Sequence, residues 1–350
     1  MKRPTTSTFK EPKVYIVLLN WNGWKDTIEC LESVLRSDYP NFSVIVCDNA
    51  SSDESVKNIE KWASGDILSH QSTIPEIQKN TSPPINKPVT IERIEHNPHA
   101  VTVVKERLTI IETGANLGFA GGNNVGIKHA LADEDCSFVW LLNNDTVVEK
   151  ETLSKMIDHS LDLSEQGIAN TCGSLVCFYD APDTIQSLGG GTHNPLTGIG
   201  RTSCGRYLSR KENIDHQEIA KSLTYIHGCS WLLPRAFLAE IGLMEENYFL
   251  YYEELDWCTR SQDRYALTYA HEATVYHKEG RAIGSRRYNS GPSVTSDFYM
   301  SRARRKFMKK FYPNRTLIVL LTLALQAANR ARKGKFQNSF AILKAIFTSR

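Results

Sequence analysis

The sequence predicts an α/β fold with a mainly parallel central sheet flanked by helices. Short apolar runs rich in β-branched and aromatic residues lie at 14–19, 43–47, 108–111 and 138–142, and they have the length of buried strands. Segments with helical spacing separate most of them, as expected for βαβ units. The first, second and fourth runs lead directly into Asn or Asp residues. Open parallel sheets bind ligands beyond the carboxyl ends of their strands, so we expect a ligand site there.

The helices and loops between these strands can be placed from the same spacing. After the first strand, Asn20-Trp21-Asn22-Gly23 predicts a loop, and Tyr39-Pro40 ends the helix that follows. Helices are predicted, in chain order, over 27–37, 54–63 and 125–131, with another beyond residue 149. The second half of the chain is less regular and contains a predicted glycine-rich loop at 189–191.

The chain divides into three predicted regions. Residues 1–12 are polar and rich in Pro and Thr, so we expect them to be disordered, and they carry no signal-peptide pattern. Residues 13–300 form the folded domain. Within it, the polar segment at about 65–105 predicts an inserted loop or hairpin with partial disorder. Residues 301–350 form a basic, partly apolar helical tail.

Charge is unevenly distributed along the chain. The formal net charge is +2, but residues 302–350 contain thirteen Lys or Arg and no Asp or Glu, which leaves −11 for the rest (+2 − 13). A basic tail on an acidic body predicts contact with an anionic partner. The eight cysteines form no CxxC pair, so neither a zinc knuckle nor a dithiol redox site is indicated. Scattered thiols are typical of a reducing compartment, and we expect a cytoplasmic protein.

The tetrapeptide Asn143-Asn144-Asp145-Thr146 places hard oxygen ligands at the end of a strand. One carboxylate together with substrate phosphates is the usual way in which a protein holds Mg²⁺ or Mn²⁺. The same tetrapeptide is also common as an ordinary Asx turn. His277 ends another strand-like run. It is either structural or, if it approaches Asp145, a second ligand of the cation.

Two further segments are candidates for contact with a nucleotide. Asp48 follows the second strand, where a carboxylate can accept hydrogen bonds from a base or a ribose, whereas Asp53 is expected to cap a helix. The stretch Gly118–Asn124 opens a helix, whose N-terminus favours anions. It matches neither the dinucleotide nor the P-loop fingerprint, so it predicts a tight turn beneath a nucleotide more than a phosphate loop.

A cluster of acidic residues is the next candidate site. Glu253, Glu254 and Asp256 stand within four positions among aromatic residues. They can form the acidic first turn of a helix, with Asp256 reaching Arg260 one turn further on. Alternatively, one of them is a general base that the aromatic residues shield from water.

Taken in order, these segments resemble the family 2 glycosyltransferases, with the nearest likeness to bacterial rhamnosyltransferase-like members. The matching stretches are VYIVLLNWNG (14–23), VIVCDNASSDES (44–55), GANLGFAGGNNVGI (114–127), FVWLLNNDTVV (138–148), GCSWLLPRAFLAEIGLMEENYFLYYEELDWCTR (228–260), ATVYHKEG (273–280) and YMSRARRKFMKKFYP (299–313). The resemblance covers about residues 13–313.

The resemblance implies a GT-A fold (a Rossmann-like sheet), a nucleoside-diphosphate sugar donor carrying dTDP or UDP, a divalent cation (Mg²⁺ or Mn²⁺) and inversion at the anomeric carbon. It implies that Asp145 and His277 hold the cation. Glu254 takes the position of the general base, with Glu253 and Asp256 as further catalytic candidates; family members commonly have Glu-Asp here, so the longer Glu254 is a departure. The candidate donor-binding residues are Asn20, Asn22, Asp48, Asn116, Gly118, Phe119, Gly122, Asn123, Asn143 and Asn144.

The implied reaction moves a sugar to a hydroxyl of a saccharide or polyprenyl-linked acceptor in cell-surface polysaccharide synthesis. The resemblance suggests rhamnose, while UDP-hexoses and galactofuranose stay open. One alternative is another nucleotide-sugar enzyme such as a nucleotidyltransferase, but the loop after the first strand lacks the Gly/Arg/Lys-rich pattern. A second is a non-catalytic GT-A-fold binding protein, against which Asp145 and Glu254 argue. A dinucleotide oxidoreductase is disfavoured because no fingerprint follows the first strand.

The tail adds a prediction about membranes. Residues 317–328 are apolar except Thr322 and Gln326. At about 1.5 Å per residue, this helix is shorter than the roughly 30 Å hydrocarbon core of a bilayer. Its basic flanks predict an interfacial helix that contacts anionic lipid at the inner face of the cell membrane. The alternative is a helix that lies against the body or a dimer partner. Aromatic residues are sparse in the basic stretch, so no nucleic-acid partner is expected.

Overall fold

The structure is a computed structural model that describes residues 11–201, 204–278 and 292–348. Its strands, in chain order, are β1 (Lys13–Asn20), β2 (Phe42–Asp48), β3 (Ile91–Glu95), β4 (Leu108–Glu112), β5 (Cys136–Asn143), β6 (Thr146–Val148), β7 (Asn170–Phe178), β8 (Ala181–Leu188), β9 (Gly190–His193), β10 (Gly200–Arg201), β11 (Tyr225–Ile226), β12 (Ser230–Pro234) and β13 (Ala266–His277). Its α-helices are α1 (Trp24–Val34), α2 (Ser55–Ser64), α3 (Pro75–Thr81), α4 (Gly118–Leu131), α5 (Thr152–Glu165), α6 (His216–Ser222), α7 (Arg235–Ile241), α8 (Glu253–Ser261), α9 (Val294–Phe311), α10 (Thr316–Arg332) and α11 (Phe336–Phe347).

Ten of these strands form one sheet in the order β3-β4-β2-β1-β5-β12-β7-β13-β6, with β8 paired to β7. Every neighbouring pair from β3 to β5 is parallel. Beyond β5, the pair β7–β13 is parallel, while β12, β6 and β8 run antiparallel to their neighbours. The predicted α/β fold with a mainly parallel sheet is therefore confirmed. A small antiparallel sheet has the order β10-β9-β11.

The central strands are apolar on both faces because helices cover both faces of the sheet. In β1, Val17 belongs to the apolar cluster that contains residues of α4, and its neighbour Ile16 belongs to the cluster that contains Ile28 of α1. The parallel register then brings the polar strand ends together. Asn20 lies opposite Asp48, and Asn143 lies opposite Leu19. These polar residues meet at one edge of the sheet, as the sequence predicts.

Helix α4 lies very close to the sheet, and its glycines explain why. A Cβ atom at Gly122 would overlap Leu19 Cδ1, and one at Gly126 would lie 2.6 Å from Val17 Cγ1. The helix already begins at Gly118, whereas the sequence suggests a turn before a helix at 125. The stretch opens a helix as predicted, but the predicted tight turn over 118–124 is wrong, because these residues are helical and Gly122 serves helix–sheet contact.

The segment at 65–105 is not a loop or hairpin, so that prediction is also wrong. It contains α3, in which Ile77 and Thr81 are fully buried, and β3, which extends the sheet in parallel beside β4. Val104 is buried in the core as well. Because the segment is mostly polar, its composition did not reveal the few apolar residues that anchor it in the core.

Smaller corrections concern the other predicted elements. Gly190 and Gly191 begin β9, so residues 189–191 are not simply a loop. The predicted helix 27–37 starts earlier and ends earlier, as α1. Residues 1–10 of the predicted disordered N-terminus lie outside the described residues.

Helices α9, α10 and α11 form what we call the C-terminal helical module. The predicted boundary between residues 300 and 301 falls inside α9, so the module begins at Val294. One face of α10 (Val319, Leu323 and Ala327) is buried in a cluster with Phe307 of α9. The alternative that this helix lies against the rest of the chain therefore holds for that face. Among the described residues, no helix meets the length and hydropathy needed to cross a membrane.

Candidate active site

Side chains from strand ends and from α1 form one hydrogen-bonded group at the carboxyl edge of the sheet. Asn20 Nδ2 donates to Asp48 Oδ1 (2.7 Å), and Thr27 Oγ1 donates to Asn20 Oδ1 (2.8 Å). Asn144 Nδ2 donates in turn to Thr27 Oγ1 (2.9 Å). The backbone N–H of Ser51 donates to Asp48 Oδ2 (3.0 Å). Three predicted donor-binding residues, Asn20, Asp48 and Asn144, are thus brought together.

A second group surrounds the start of α4. Asn116 Oδ1 accepts hydrogen bonds from Asn49 Nδ2 and from the backbone N–H of Gly118, both at 3.0 Å. The backbone N–H of Phe119 donates to the carbonyl of Phe249 (2.8 Å). Gly118 has a φ of +74°, and a Cβ atom there would lie 2.5 Å from the Phe249 carbonyl oxygen, so only glycine permits this approach. The loop before α8 therefore rests on the donor side of the sheet.

The structure does not support every predicted donor-binding residue. Asn123 is buried and its Nδ2 donates to the Phe119 carbonyl (2.9 Å), so the side chain bonds to its own helix. Gly122 is buried against Leu19. Both are packing residues, and we correct their assignment. Asn22 is exposed, and its Oδ1 accepts a hydrogen bond from the backbone N–H of Ser52 (2.7 Å), so it remains at the rim of the group.

Asp145 and His277, which are far apart in sequence, lie side by side. His277 Nε2 is 3.1 Å from Asp145 Oδ1, and Asn143 Nδ2 is 3.4 Å from the same nitrogen. His277 Nδ1 is 2.8 Å from Gln186 Oε1, which can only accept, so Nδ1 carries the proton. Burial alone would raise the pKa of Asp145, but the His277 ring and the Lys278 ammonium outweigh burial and hold this pKa below its ordinary value.

This pair fits a divalent cation. The charged His277 ring, which lowers the Asp145 pKa, holds a proton between Nε2 and the carboxylate oxygen. When that proton leaves, the neutral ring keeps the proton on Nδ1 and turns an electron pair towards the carboxylate, so a cation can take the place of the proton. Two neighbouring ligands about 2.1 Å from an octahedral cation lie roughly 3 Å apart, close to the observed separation. Among the described residues no cluster of three or more His, Cys, Asp or Glu could hold a metal. Two protein ligands completed by phosphate oxygens and water are usual for Mg²⁺.

The acidic cluster at the start of α8 separates into distinct environments. Burial raises the pKa of Glu254 to about 6. Burial and the neighbouring Glu254 carboxylate raise the pKa of Glu253 well above its ordinary value. Glu253 Oε2 is buried and has no hydrogen-bond partner among the residues that the structure describes. Glu254 therefore ionises first while Glu253 keeps its proton, which makes Glu254 the better base of the two.

Asp256 has a structural role instead. Its carboxylate accepts hydrogen bonds from Tyr248 Oη (2.9 Å), Arg260 Nε (2.7 Å) and Lys310 Nζ (2.7 Å) and is fully buried. The pairing with Arg260 one turn away is the alternative that the sequence left open. Asp256 is thus engaged as an ion-pair partner, and we correct its assignment from a catalytic candidate to a structural residue.

The segment between β11 and β12 connects the cation pair to Glu254. The rings of His227 and His277 are 6.0 Å apart, and the Asn143 backbone N–H donates to the Cys229 carbonyl (2.9 Å). A Cβ atom at Gly228 would overlap Glu254 Oε1. His277, which pairs with Asp145, and Asn143, two positions before it, therefore contact the same three-residue segment as Glu254.

The loop before Glu253 has an unusual backbone. Phe249, Tyr251 and Tyr252 have φ values of 70°, 69° and 70°, in the left-handed region that side chains other than glycine rarely adopt. Each costs on the order of 1–3 kcal/mol and persists only where surrounding contacts impose it. Two further aromatic residues near the acidic cluster, Tyr248 and Trp257, are buried in the core. Strain of this kind is concentrated at functional sites.

Sequence reasoning missed several residues of this site. Thr27 lies in a helical pattern, and Gln186 lies in the irregular second half, so neither carries a motif. Gly228 begins the longest family-like stretch and His227 directly precedes it, which was the one available signal. Asn49 follows Asp48 directly, and its position at the strand end was also a usable signal.

Comparison with known proteins places the chain in a family. The family model for glycosyl transferase family 2 matches residues 15–74 and 96–242, which is more than half of the chain. The chain belongs to glycosyl transferase family 2. The unmatched gap, residues 75–95, contains all of α3 and β3. This membership removes the nucleotidyltransferase and oxidoreductase alternatives.

Individual relatives are more distant. The chain is 26% identical over 192 residues to the low-salt glycan biosynthesis hexosyltransferase Agl10 of Haloferax volcanii, covering 54% of this chain and 57% of that protein. It thus matches little more than half the length of that relative.

Two solved structures are similar in fold. One is the mannosyltransferase PcManGT from Pyrobaculum calidifontis in complex with GDP-Man and Mn²⁺, with 13% identity, a TM-score of 0.52, and coverage of 97% of this chain and 89% of that one. The other is GalNAc-T7 with UDP, GalNAc and Mn²⁺, with 11% identity, a TM-score of 0.50, and coverage of 83% and 47%. At these identities the likeness concerns the fold, and it confirms the predicted GT-A type.

Proposed function

We propose that the protein is an inverting glycosyltransferase that moves a sugar from a nucleoside-diphosphate donor to a hydroxyl of a saccharide or polyprenyl-linked acceptor. The observation that carries this proposal is that His277, the partner of Asp145, and Glu254 both contact the 227–229 segment. Asp145 is suited to binding the cation of a nucleoside diphosphate, and Glu254 is suited to accepting a proton. A single displacement needs both at the same cleft.

The mechanism is a direct displacement. The acceptor oxygen forms a bond to the anomeric carbon while the bond from that carbon to the phosphate oxygen breaks, and the nucleoside diphosphate leaves from the opposite face. The acceptor proton passes to a Glu254 carboxylate oxygen. With its pKa near 6, Glu254 is ionised at neutral pH and is a stronger base than an ordinary glutamate. Glu253, which keeps its proton, does not compete.

Asp145 and His277 would hold Mg²⁺ or Mn²⁺, with Asn143 beside them. When bound, such a cation neutralises charge on the leaving diphosphate. The chain's own contribution is to orient these two ligands, which Gln186 does for the imidazole. The loop at 249–252 excludes water from the proton acceptor, because its backbone closes against Gly118 and Phe119.

The donor would lie along the hydrogen-bonded group at the ends of β1, β2 and β5. We assign Asp48, Asn20 and Asn116 to the nucleoside and Asn144 to the ribose or diphosphate. The sugar we propose is rhamnose carried by dTDP, from the resemblance to rhamnosyltransferase-like members. UDP-hexoses and galactofuranose are the competing choices, and the relative from Haloferax volcanii is a hexosyltransferase by name.

We place the reaction in cell-surface polysaccharide synthesis in the cytoplasm, at the inner face of the cell membrane. The basic C-terminal helical module supports that location.

A donor panel tests the function. Purified protein would be incubated with dTDP-rhamnose, UDP-glucose, UDP-galactose and UDP-galactofuranose, with Mg²⁺, with Mn²⁺ or with chelator, and release of nucleoside diphosphate measured. We expect cation-dependent release from one donor, and we expect Asp145→Ala to lose it. The matched control is Asp183→Ala, an exposed carboxylate paired with Lys211, which should behave as the wild type.

Two results would contradict the proposal. Binding of a nucleotide sugar without any release, with or without an added saccharide, would favour the non-catalytic GT-A-fold alternative. Equal release by the Asp145→Ala variant and the wild type would remove Asp145 from the site.

A further inference from the structure

We propose that an outward apolar face on α10 and α11 docks onto an anionic lipid bilayer. This α10–α11 apolar face consists of Leu317, Leu321, Leu325, Phe336, Phe340 and Phe347. Their exposed fractions run from 57% for Leu321 to 83% for Phe347. They include five of the six most exposed large apolar side chains among the described residues. Such concentrations of exposed apolar surface mark interaction sites in proteins.

The exposed apolar residues recur at helical spacing, so on each helix they lie on one side. Leu317, Leu321 and Leu325 recur every four residues on α10, and Phe336, Phe340 and Phe347 recur at helical spacing on α11. The opposite sides of the same helices, represented by Leu323 and Ile342, are fully buried. The inward faces therefore already have their partner within the chain, and the outward faces are a separate surface.

The charge of the surroundings identifies the partner. Residues 302–348 contain twelve Lys or Arg and no acidic residue. Arg332 at the end of α10 and Lys333 and Lys335 in the turn that follows are exposed, next to Phe336. The one acid of the module, Asp297 of α9, is already paired with Arg330 (2.9 Å). Exposed apolar side chains beside exposed cations match a bilayer with anionic headgroups, because the hydrocarbon takes up the former and the headgroups attract the latter.

A second copy of the chain fits this surface less well. A symmetric dimer through the same face would place the two Arg332–Lys335 turns in one interface, without acidic residues of the module to oppose them. Like charges brought together in this way disfavour the contact. An anionic bilayer has the complementary charge.

Helix α9, which packs against α10 and α11, contacts the active-site loop. Tyr299 of α9 stacks on Phe249 with ring centroids 5.0 Å apart, and Ser296 Oγ accepts a hydrogen bond from Tyr251 Oη (3.0 Å). The same helical module therefore contacts both the bilayer and the loop that precedes Glu254. If the proposed function holds, this arrangement suits an acceptor saccharide on a lipid carrier; the docking itself does not depend on sugar transfer.

Vesicle flotation of the full chain tests the docking. The probes are vesicles of phosphatidylcholine alone and of phosphatidylcholine mixed with phosphatidylglycerol. We expect flotation with the mixed vesicles and release at high salt, because screening weakens the attraction. The double variant Phe336→Ser/Phe340→Ser should bind the mixed vesicles about tenfold more weakly or worse. Circular dichroism and thermal melting would verify that the variant is folded.

The matched control is Leu68→Ser/Ile168→Ser, two exposed apolar residues outside the module, which should float like the wild type. Charge reversal by Lys333→Glu/Lys335→Glu should also weaken flotation. Equal flotation of the phenylalanine variant and the wild type would overturn the proposal. So would a wild-type dimer in analytical ultracentrifugation that the phenylalanine substitutions dissociate, combined with no flotation. Neither measurement uses a sugar donor, so failure here leaves the proposed transfer untouched.

Discussion

The donor side and the base side of the cleft are built in different ways. On the donor side, Asn20, Asp48 and Asn144 stand at the ends of neighbouring parallel strands and bond to one another over 2.7–3.3 Å, directly or through Thr27. On the base side, Glu254 follows a loop with three left-handed residues. That loop is held by contacts with α4, the 194–199 loop and the C-terminal helical module.

The two sides differ in the interactions that hold their site residues in position. Strand register positions the donor side, and a parallel sheet specifies register strongly when both faces are buried. The base side depends on long-range contacts and stored strain, which cost stability and leave its position sensitive to distant changes. We expect the base side to be the more easily perturbed half of the site, and substitutions on each side can test this.

The largest expected effect is at Glu254. Removing the proton acceptor in Glu254→Gln should lower kcat by about 10²–10⁴-fold, the usual contribution of general base catalysis, while donor binding is retained. Glu253→Gln is the matched control, because Glu253 already carries a proton and the amide is a neutral substitute. It should keep kcat within about tenfold of the wild type. Steady-state transfer and donor titration measure both, and a reversed ranking would transfer the base role to Glu253.

A smaller effect is expected at Gln186, which positions His277. Gln186→Leu removes the acceptor for His277 Nδ1–H and should weaken Mn²⁺ binding by about 10–100-fold. Electron paramagnetic resonance of free Mn²⁺ in the presence of nucleoside diphosphate measures this affinity. Gln166→Leu, at an exposed glutamine, is the control. Unchanged Mn²⁺ affinity in Gln186→Leu would show that the ring orientation needs no such partner.

The pH dependence of transfer reports on Glu254 as well. Burial raises the pKa of Glu254 to about 6, and the ionised form is the active base. Because protonation removes the base, kcat should rise with pH through about 6 and fall about tenfold per unit below it. A pH–kcat profile at saturating donor measures this. A flat profile down to about pH 4.5, near the ordinary pKa of a glutamate, would show that this carboxylate does not limit the reaction.

The smallest effect is expected in stability on the donor side. Gly122→Ala introduces a Cβ atom that overlaps Leu19 Cδ1 and should lower the free energy of unfolding by about 1–3 kcal/mol. Gly200→Ala, where no atom lies within 4 Å of the added Cβ, should change it by less than about 0.5 kcal/mol. Urea denaturation measures both. A more stable Gly122→Ala variant would mean that helix propensity outweighs the close approach to the sheet.

Sequence reasoning reached the donor side more completely than the base side. Strand ends rich in Asn and Asp are local patterns, so the amino-acid sequence alone is enough to place Asn20, Asp48 and Asn144 at one edge of the sheet. The pairing of Asp145 with His277 came from the family resemblance, because 132 positions separate the two residues (277 − 145) and no periodicity connects them.

Other features were beyond reach for physical reasons. The glycines of α4 follow the pattern of a turn, yet contact with Leu19 and Val17 makes them helical. The segment at 65–105 is mostly polar, and its fold depends on a few buried residues such as Ile77. Gln186 acts through His277, a contact between distant parts of the chain. Tertiary contacts determine the structure in each of these cases, and the local amino-acid composition does not reveal those contacts.

The most direct test of the shared cleft is a crystal structure of the Glu254→Gln variant with Mn²⁺ and an intact nucleotide-sugar donor. We expect the diphosphate at Asp145 and His277, with the anomeric carbon facing the side chain at position 254. A donor whose sugar points away from that side chain, or whose diphosphate lies elsewhere on the sheet, would contradict the proposed reaction.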